Sequence, residues 1–334
     1  MRKIEQDLII PFAKQAGMTS FDSLWQVKHA LKTKKLGHTG TLDSFADGLL
    51  VLLSGKLTRL AGRITDFDKT YITRMEFGKQ TDTLDPEGEV IDMKELPQVE
   101  AFFSVLDSFT GVITQIPPLY SAVKIKGQRA SDRMRQGEAV VLKERSITIY
   151  SLRVVSLESD GKTADPSAFA SGALLSAATL EVSCSKGTYI RSLVRDIAAA
   201  AGSCAFVSAL RRTAVGPFML AEAAGYDKLV EFGKTESEVN QSRTQLLYEE
   251  IKAASKTLDT KTAKKLGFPV VEINRAFVKN FFHGQKIQKE WFNTVPASSG
   301  SRLIAVFSCD SCIGLIKNSG NSFNYDTVFQ IEGM

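Results

Sequence analysis

Residues 37–55 constrain the fold most, because a loop rich in glycine and threonine leads directly into a continuous apolar run. The segment reads GHTGTLDSFADG followed by LLVLLSG. A short apolar run that ends at a glycine is typical of a buried strand. Two carboxylates, Asp43 and Asp47, lie in the loop before this predicted strand. By themselves they fit a turn, a helix cap, a phosphate-binding loop or a nucleophile.

The rest of the first 225 residues predicts a mixed, mostly antiparallel α+β body. KTYITRMEFG alternates between apolar and polar positions, which predicts a half-buried strand, and further strands are expected at 120–126, 145–157 and 178–184. Pro11 and Gly17 predict a loop before the first helix. The segment between the last two strands, DGKTADPSAFASGALLSA, is rich in small residues and predicts an extended hairpin loop.

Three segments carry the spacing of helices. TSFDSLWQVKHALKT can be capped by Thr19 or Ser20 and places Phe21, Leu24, Val27 and Leu31 on one face. LPQVEAFFSVLDSFTG is expected to bury its aromatic residues, including Phe103, and to end at Gly111. TYIRSLVRDIAAAAG is expected to end at Gly202.

The C-terminal third differs in pattern. Residues 226–267 are polar and helical in character and predict a connector, whereas residues 268–334 contain RLIAVFS, CIGLIK and NYDTVFQI and predict a small β-rich module with one helix. A chain of 334 residues fits two domains, or one large domain with a small appendage.

The distribution of charge points to a polyanionic partner. The formal net charge is +5, and residues 121–145 contain seven basic and three acidic side chains, so this segment carries most of the excess. A second basic segment, VKHALKTKK, precedes the glycine-rich loop. Two basic segments beside one loop favour nucleic acid over a merely solvated surface.

Composition also indicates the cellular compartment and argues against disulfide and zinc sites. No apolar run approaches the roughly 20 residues of a membrane helix, so we expect a cytoplasmic protein that does not contact membranes. Four cysteines do not form a disulfide framework, and the Cys309/Cys312 pair has no second pair to complete a zinc site.

Five motifs occur in a fixed order over some 180 residues: GHTGTLDSFADGLL, DKTYITRMEFGKQTDTLDPEGEV, IPPLYSAVKIKG, CSKGTYIRSLVRDI and ALRRTAVGPF. Together they closely resemble the TruB-type tRNA pseudouridine synthases. The resemblance implies a pseudouridine-synthase fold for residues 1–225. NRAFVKNFFHGQKI and the strands after it resemble, more weakly, a PUA-type RNA-binding module.

The resemblance assigns the catalytic groups. Asp43 is the expected nucleophile, and a carboxylate suits this role because it is ionised at neutral pH. Arg191 is its expected partner, since a guanidinium favours and orients the charged form. Tyr71 is expected to stack on the extruded uracil and to take part in proton removal. Asp85 is expected to position the arginine.

The resemblance also implies residues that contact the RNA. Outside the basic insertion these are His38, which stacks with the RNA, Tyr189 and Leu210, which complete the wall of the base pocket, and Thr39, Gly40, Asp85 and Arg211. Residues 117–145 match a mobile RNA-clamping insertion, the thumb, whose expected phosphate contacts are Lys124, Arg129, Arg133 and Arg135.

Three positions depart from the family pattern. Ser44 and Gln15 each stand where a proline is usual, and Asp47 stands where a small or hydroxyl residue is usual. Proline would fix the backbone after the expected nucleophile, and a second carboxylate nearby would disfavour the charged form of Asp43 unless it points to solvent. These changes affect efficiency rather than the type of reaction.

The expected function is isomerisation of uridine to pseudouridine at position 55, in the TΨC loop of tRNA, without metal or cofactor. Asp43 attacks the flipped nucleotide at the ribose or at the ring. We expect a monomer without an obligate protein partner. Three alternatives remain: a synthase for another RNA position, an RNA-folding helper, and a glycosidase acting on small nucleosides.

Overall fold

A computed structural model of the chain describes residues 7–233, 247–294, 303–319 and 322–329. Its N-terminal body contains fourteen strands within these ranges: β1 (Ile9–Lys14), β2 (Leu36–His38), β3 (Asp47–Ser54), β4 (Lys69–Phe77), β5 (Lys79–Thr81), β6 (Val90–Met93), β7 (Gly111–Gln115), β8 (Lys124–Ile125), β9 (Gln128–Arg129), β10 (Arg145–Ser159), β11 (Lys162–Ala164), β12 (Ala177–Cys184), β13 (Ala205–Val215) and β14 (Phe218–Met219).

Ten of these strands form one sheet. The order along its main path is β1-β3-β13-β4-β12-β10-β11, with β2 paired to β3, β7 to β10 and β14 to β13. Only the β3–β13 pair is parallel; the other pairs in this sheet are antiparallel. The prediction of a mixed, mostly antiparallel sheet is confirmed.

The apolar run LLVLLS forms β3, as predicted, and seven of its eight positions are buried. Its neighbour β1 corrects the expectation of a loop around Pro11. All six residues of β1 are buried, and they pair antiparallel with β3. Proline is tolerated because β1 ends the path of paired strands, where a backbone N–H is not required on the outer side.

The helices are α1 (Ser20–Leu31), α2 (Ala61–Thr65), α3 (Val99–Leu106), α4 (Ala130–Arg135), α5 (Ile190–Ala200), α6 (Leu247–Ala254), α7 (Thr260–Lys265) and α8 (Val278–Phe282). Thr19 caps α1 in a reciprocal capping box with Asp22. Leu24 and Val27 are buried as expected, but Phe21 is 71% exposed. Phe103 of α3 is also partly exposed rather than buried.

The segment 120–126 is not the strand that alternation predicted. Only Lys124–Ile125 pairs, with Gln128–Arg129, in a separate two-stranded hairpin. The predicted hairpin loop after β10 is largely correct, although it begins with a short β10–β11 hairpin that turns at Asp160 and Gly161, both with positive φ. A two-residue Asp-Gly turn of this kind matches the twist of the paired strands.

The main core lies between one face of the sheet and helices α3 and α5. Phe102 of α3 and Leu193 of α5 pack there against Met75 of β4 and Val182 of β12. This packing fixes the first turn of α5, and therefore Arg191, relative to the central strands.

The C-terminal region contains β15 (Val270–Glu272), β16 (Leu303–Ser308), β17 (Ser311–Asn318) and β18 (Phe323–Val328), which form a four-stranded sheet in sequence order. The small β-rich module is therefore present. Phe307 and Leu315 belong to the same buried cluster as Leu53 and Leu57 of the N-terminal body. Residues 234–246 of the predicted connector lie outside the described residues.

Candidate active site

Asp43 lies between β2 and β3, on a loop whose backbone is anchored on both sides. The Leu42 N–H donates to Ser20 Oγ at 2.9 Å, and the Leu42 carbonyl accepts from the same hydroxyl at 3.1 Å. After Asp43, the Ser44 carbonyl accepts from the Gly17 N–H at 2.9 Å. Because both sequence neighbours of Asp43 are held, its carboxylate starts from a fixed backbone position.

Arg191 brings the predicted groups together. Its Nε lies 2.9 Å from Asp43 Oδ2, and its Nη2 lies 3.1 Å from Asp43 Oδ1, so the pair is bidentate. Nη1 donates to Asp85 Oδ2 at 2.9 Å and to the Thr83 carbonyl at 2.7 Å, while Nη2 also donates to the Tyr120 carbonyl at 3.0 Å. These contacts use all five N–H donors of a guanidinium. Arg191 is buried, whereas the Asp43 side chain remains 36% exposed.

Asp85 occupies the position expected of a group that holds the arginine. Its Oδ1 accepts from the Thr83 hydroxyl at 2.5 Å and from the Glu87 N–H at 3.1 Å, which stabilises the Asp-Pro-Glu-Gly turn. Burial raises the pKa of this carboxyl, while the Thr83 hydrogen bond and the Arg191 charge act in the opposite direction. Asp85 contacts the opposite side of the guanidinium from Asp43.

Lys14 is a buried cation at this site that sequence analysis missed. It ends β1 with a fully buried side chain, and its Nζ donates to the carbonyls of Gln15, Met18 and Ser44 at 2.9, 2.5 and 3.2 Å. Burial lowers its pKa to about 8, although the charges of Asp47 and Asp43 act in the opposite direction. The three N–H donors of the ammonium therefore join the backbone of the segment before α1 to the backbone just after Asp43.

The departures from the family pattern have local compensation. The Ser44 hydroxyl donates to Glu87, so the Asp43 loop is tied to the turn that contains Asp85. Asp47 forms a bidentate pair with Arg211, at 2.7 Å to Nε and 2.6 Å to Nη2, and both side chains are 13% exposed. Asp47 does not point to solvent. Instead, its charge is matched by Arg211, which places that expected RNA contact in an internal ion pair.

Tyr71 and Leu210 lie on adjacent strands. Tyr71 of β4 is opposite Arg212 of β13, and Leu210 is opposite Thr73. Burial raises the pKa of the Tyr71 hydroxyl above its usual value, so the phenol is protonated at neutral pH, although the nearby Arg212 charge opposes the shift. Leu210 contributes to a cavity of about 310 Å³ beside the loop, lined also by Phe45 and Asp47.

The remaining residues of the GHTG motif shape the loop. Thr39 is fully buried, and both its N–H and its hydroxyl donate to the Val51 carbonyl at 3.0 Å. Gly40 adopts a φ of 83°, and its carbonyl accepts from Arg212 Nη2 at 3.1 Å. His38 ends β2 and is partly exposed; burial, together with the Arg212 charge, lowers its pKa.

Tyr189 immediately precedes α5. Gln115 holds its backbone on both sides, because the Tyr189 N–H donates to Gln115 Oε1 at 2.9 Å and its carbonyl accepts from Gln115 Nε2 at 3.1 Å. The Arg145 guanidinium lies 5.4 Å from the centre of the Tyr189 ring. Gln115 is itself buried and was not singled out by the sequence.

The basic insertion is a small hairpin followed by a short helix. Lys124 and Arg129 pair across the hairpin and are both exposed. Arg135 is exposed on α4, 3.8 Å from Asp132, whereas Arg133 is less exposed and lies 3.3 Å from Glu138. The start of the insertion meets the active site directly, because the Tyr120 carbonyl is bonded to Arg191.

Three buried polar residues that bond the backbone around the site were not predicted from the sequence: Lys14, Arg212 and Gln115. Arg212 is almost fully buried, and its Nε donates to the Leu49 carbonyl at 2.7 Å. A long polar side chain at the end of an apolar segment, such as Lys14 after IIPFA, is a signal that was available.

Comparisons with known proteins establish the family of the chain. Residues 28–190 match the family model described as the N-terminal domain of TruB family pseudouridylate synthases. The tRNA pseudouridine synthase B of Treponema pallidum is 41% identical over 98% of both chains, and that of Treponema denticola is 43% identical over 98% of this chain and 99% of its own. The chain belongs to the TruB family. It is a pseudouridine synthase, which is an isomerase.

Two solved structures share the fold of this chain. A chain in the "Structure of H/ACA RNP bound to a substrate RNA containing 2'-deoxyuridine" has a TM-score of 0.63 at 20% identity, over 98% of this chain and 86% of its own. A chain in the "Crystal Structure of a Cbf5-Nop10-Gar1 Complex" has a TM-score of 0.62 at 24% identity, over 97% of this chain and 85% of its own.

Across the described residues, no helix is both long and apolar enough to span a membrane.

Proposed function

We propose that this TruB-family chain converts uridine to pseudouridine at position 55, in the TΨC loop of tRNA, with Asp43 as the nucleophile. The observation that carries the proposal is the bidentate Asp43–Arg191 pair, in which the arginine is buried and fully bonded while the carboxylate stays partly exposed. tRNA as substrate is supported by the names of the relatives, and position 55 by the resemblance of the motifs.

The chemistry needs a nucleophile that is charged and oriented before the nucleotide arrives. The N-glycosidic bond breaks, the base turns over, and a carbon–carbon bond forms to the same ribose. Asp43 forms a transient bond to the ribose or to the ring and leaves when the new bond is complete. The uracil loses the proton on C5 as that carbon bonds to the ribose, and N1, freed from the sugar, gains a proton. Arg191 stabilises the carboxylate at the start and at the end, and its fixed hydrogen bonds limit reorganisation during the reaction.

Other residues bind the RNA: Tyr71 contacts the extruded base, and basic residues of the insertion contact phosphates. Tyr71 supplies an aromatic face beside the nucleophile, and stacking on it offsets part of the cost of removing uridine from the loop. A tyrosine hydroxyl is uncharged at neutral pH, and burial raises the pKa of Tyr71 further, so the ring adds no negative charge near Asp43. Lys124, Arg129 and Arg135 are exposed on the insertion next to the site, where they hold phosphates of the T-arm.

The test is Asp43→Asn with a tRNA transcript in which pseudouridine is mapped by position. Loss of the nucleophile is expected to lower kcat by at least about a thousandfold, with pseudouridine at position 55 appearing only with the wild type. Asp66→Asn is the matched control, because Asp66 is a surface carboxylate paired with Lys186. Normal turnover by Asp43→Asn would overturn the nucleophile, and wild-type modification at another position would overturn the site.

A further inference from the structure

An exposed aromatic surface on α1 has no role in the chemistry described above. Phe21 and Trp25 are 71% and 69% exposed, one helical turn apart, and they line a depression of about 460 Å³ together with Met18 and Lys28. Large aromatic side chains are rarely left in water at adjacent positions without a partner. This surface, consisting of Phe21, Trp25, Lys28 and His29, is called the α1 face below.

The rings of the α1 face are already arranged for stacking. Trp25 and His29 are parallel, with ring centroids 5.6 Å apart and an interplanar angle of 8°. Lys28 Nζ lies 5.9 Å from the centre of the Phe21 ring. A third flat ring placed on Trp25 would extend an existing stack rather than require a new arrangement.

The charges around the α1 face are positive. Lys28 follows Trp25 on α1, Lys32 is the residue that caps the end of the helix, and Lys34 and Lys35 are exposed just beyond it. The acid on this side, Asp22, is engaged by Thr19 through the capping box at the start of the helix. Flat rings beside several lysines match an unpaired nucleotide, because the rings stack on the base while the ammonium groups attract phosphates.

The α1 face lies on the helix that begins beside the Asp43 loop. Ser20, the first residue of α1, is bonded to both backbone groups of Leu42, next to the nucleophile. Trp25 lies five residues further along the helix, a rise of about 7–8 Å. An RNA that delivers a uridine to Asp43 therefore has neighbouring nucleotides within reach of this surface.

We infer that the α1 face is a second RNA-binding surface, on which an unpaired base of the substrate tRNA stacks against Trp25. The inference rests on the proposed function for the identity of the RNA. The surface acts in binding and not in the chemical step, because none of its side chains contacts Asp43, Arg191 or Asp85 in the described hydrogen bonds and ion pairs.

Fluorescence separates this surface from the rest of the molecule. The chain has two tryptophans, Trp25 and Trp291. Trp291 is buried in the C-terminal module and stacked on Phe277, so Trp291→Phe is the matched control for Trp25→Phe. Titration with a tRNA transcript is expected to quench emission in the wild type and in Trp291→Phe, but not in Trp25→Phe, whose sole tryptophan is buried.

Kinetics supply the second readout. Trp25→Ala is expected to raise KM for the tRNA transcript about tenfold with kcat unchanged, in line with the loss of one stacking contact. Phe21→Ala is expected to change KM in the same direction. Quenching that persists in Trp25→Phe, or an unaltered KM in Trp25→Ala, would overturn the inference.

The experiment also distinguishes other failures. A wild-type enzyme that binds tRNA with quenching but modifies a different position contradicts the proposed site of action and leaves the α1 face supported. Absence of quenching in the wild type, combined with a change in sedimentation when Trp25 is replaced by Ala, would show that the face joins two copies of the chain. That result would also overturn the inference.

Discussion

Arg191 illustrates how one side chain sets the geometry of the site. Each of its five donors is used, and only the Asp43 end of the network reaches the open side of the cleft. Breaking a buried ion pair leaves an uncompensated charge, so the network cannot easily rearrange around a missing member. The planar fork is therefore as important as the positive charge.

Arg191→Lys keeps the charge but loses the fork. A lysine has three donors and cannot hold both oxygens of Asp43 while bonding Asp85 and the two carbonyls. We expect kcat to fall by about a hundredfold or more, because a displacement of about 1 Å at a nucleophile has that effect. Arg195→Lys is the matched control, since Arg195 lies one turn further along α5 and pairs with Asp196. Equal activity of both variants would contradict the role of the fork.

The lowered pKa of Lys14 predicts that both stability and activity depend on pH. Its pKa of about 8 in the folded protein lies below the ordinary value of 10.5, so the unfolded chain binds the proton more tightly. Its contribution to stability therefore rises between about pH 8 and pH 10.5, as the folded form loses an unfavourable buried charge. Activity is expected to move the other way, because neutral Lys14 loses one N–H donor to the loop. We expect kcat to decline as pH passes through about 8.

Lys69 provides the control for this profile. Burial lowers its pKa to about 8 as well, but its Nζ bonds the carbonyls of Thr65 and Phe67, away from the nucleophile loop. Lys14→Gln is expected to remove the decline near pH 8, whereas Lys69→Gln retains it. A decline that persists in Lys14→Gln would assign the titration to another group.

At the scale of elements, the site is assembled by loops that converge from separate strands. The loop before β3 supplies Asp43, the turn after β5 supplies Asp85, and the basic insertion supplies the Tyr120 carbonyl. Arg191, on the first turn of α5, bonds all three. The insertion that is expected to grip RNA is therefore joined directly to the group that orients the nucleophile.

The basic insertion predicts a change in the salt dependence of binding. Arg129→Gln and Arg135→Gln are expected to weaken tRNA binding and to reduce the slope of log affinity against log salt by about one each. Arg133 is less exposed and lies near Glu138, so Arg133→Gln is expected to alter the slope less. The control is Arg153→Gln, an exposed arginine on β10 paired with Glu181. A slope unaffected by the first two variants would count against the clamp.

At the scale of the whole molecule, the C-terminal module is packed firmly against the body. Besides the shared buried cluster, Arg63 of α2 donates to the carbonyls of Leu266 and Gly267, the last two residues before the module, at 2.8 and 2.9 Å. Arg59 donates to the Asp326 carbonyl at 2.8 Å. The division at residue 268 stays a prediction about sequence organisation, and the packing indicates that the two parts depend on each other.

The shared cluster predicts cooperative unfolding. Phe307→Ala empties space between the two parts and is expected to destabilise the protein by about 3–5 kcal/mol. Ile316→Ala acts within the module's own core. Both variants are expected to lower the temperature of a single calorimetric transition. Two separate transitions, with only one shifted by Ile316→Ala, would show instead that the module unfolds independently.

Local sequence pattern was sufficient to predict an element wherever apolar residues recur on one of its faces. It predicted β3, β4, β10, β12 and the helices α1, α3 and α5, because burial follows the period of the backbone. Local pattern did not predict β1, because Pro11 is typical of a loop. The segment is a strand only because its other backbone groups pair with β3. The exposure of Phe21 was not predicted either, since the outward side of a helix is defined only by what packs on the other side.

The sequence by itself determined the family and the α+β class, and it predicted Asp43, Tyr71, Asp85 and Arg191 as site residues, because the motifs that contain them are contiguous stretches. Only the tertiary structure decided how Asp47 is neutralised, since its partner Arg211 is 164 residues away. The same holds for Lys14, which supports Ser44 across 30 residues. Such pairs form when strands and loops distant in sequence meet, and no local spacing records which charges will face each other.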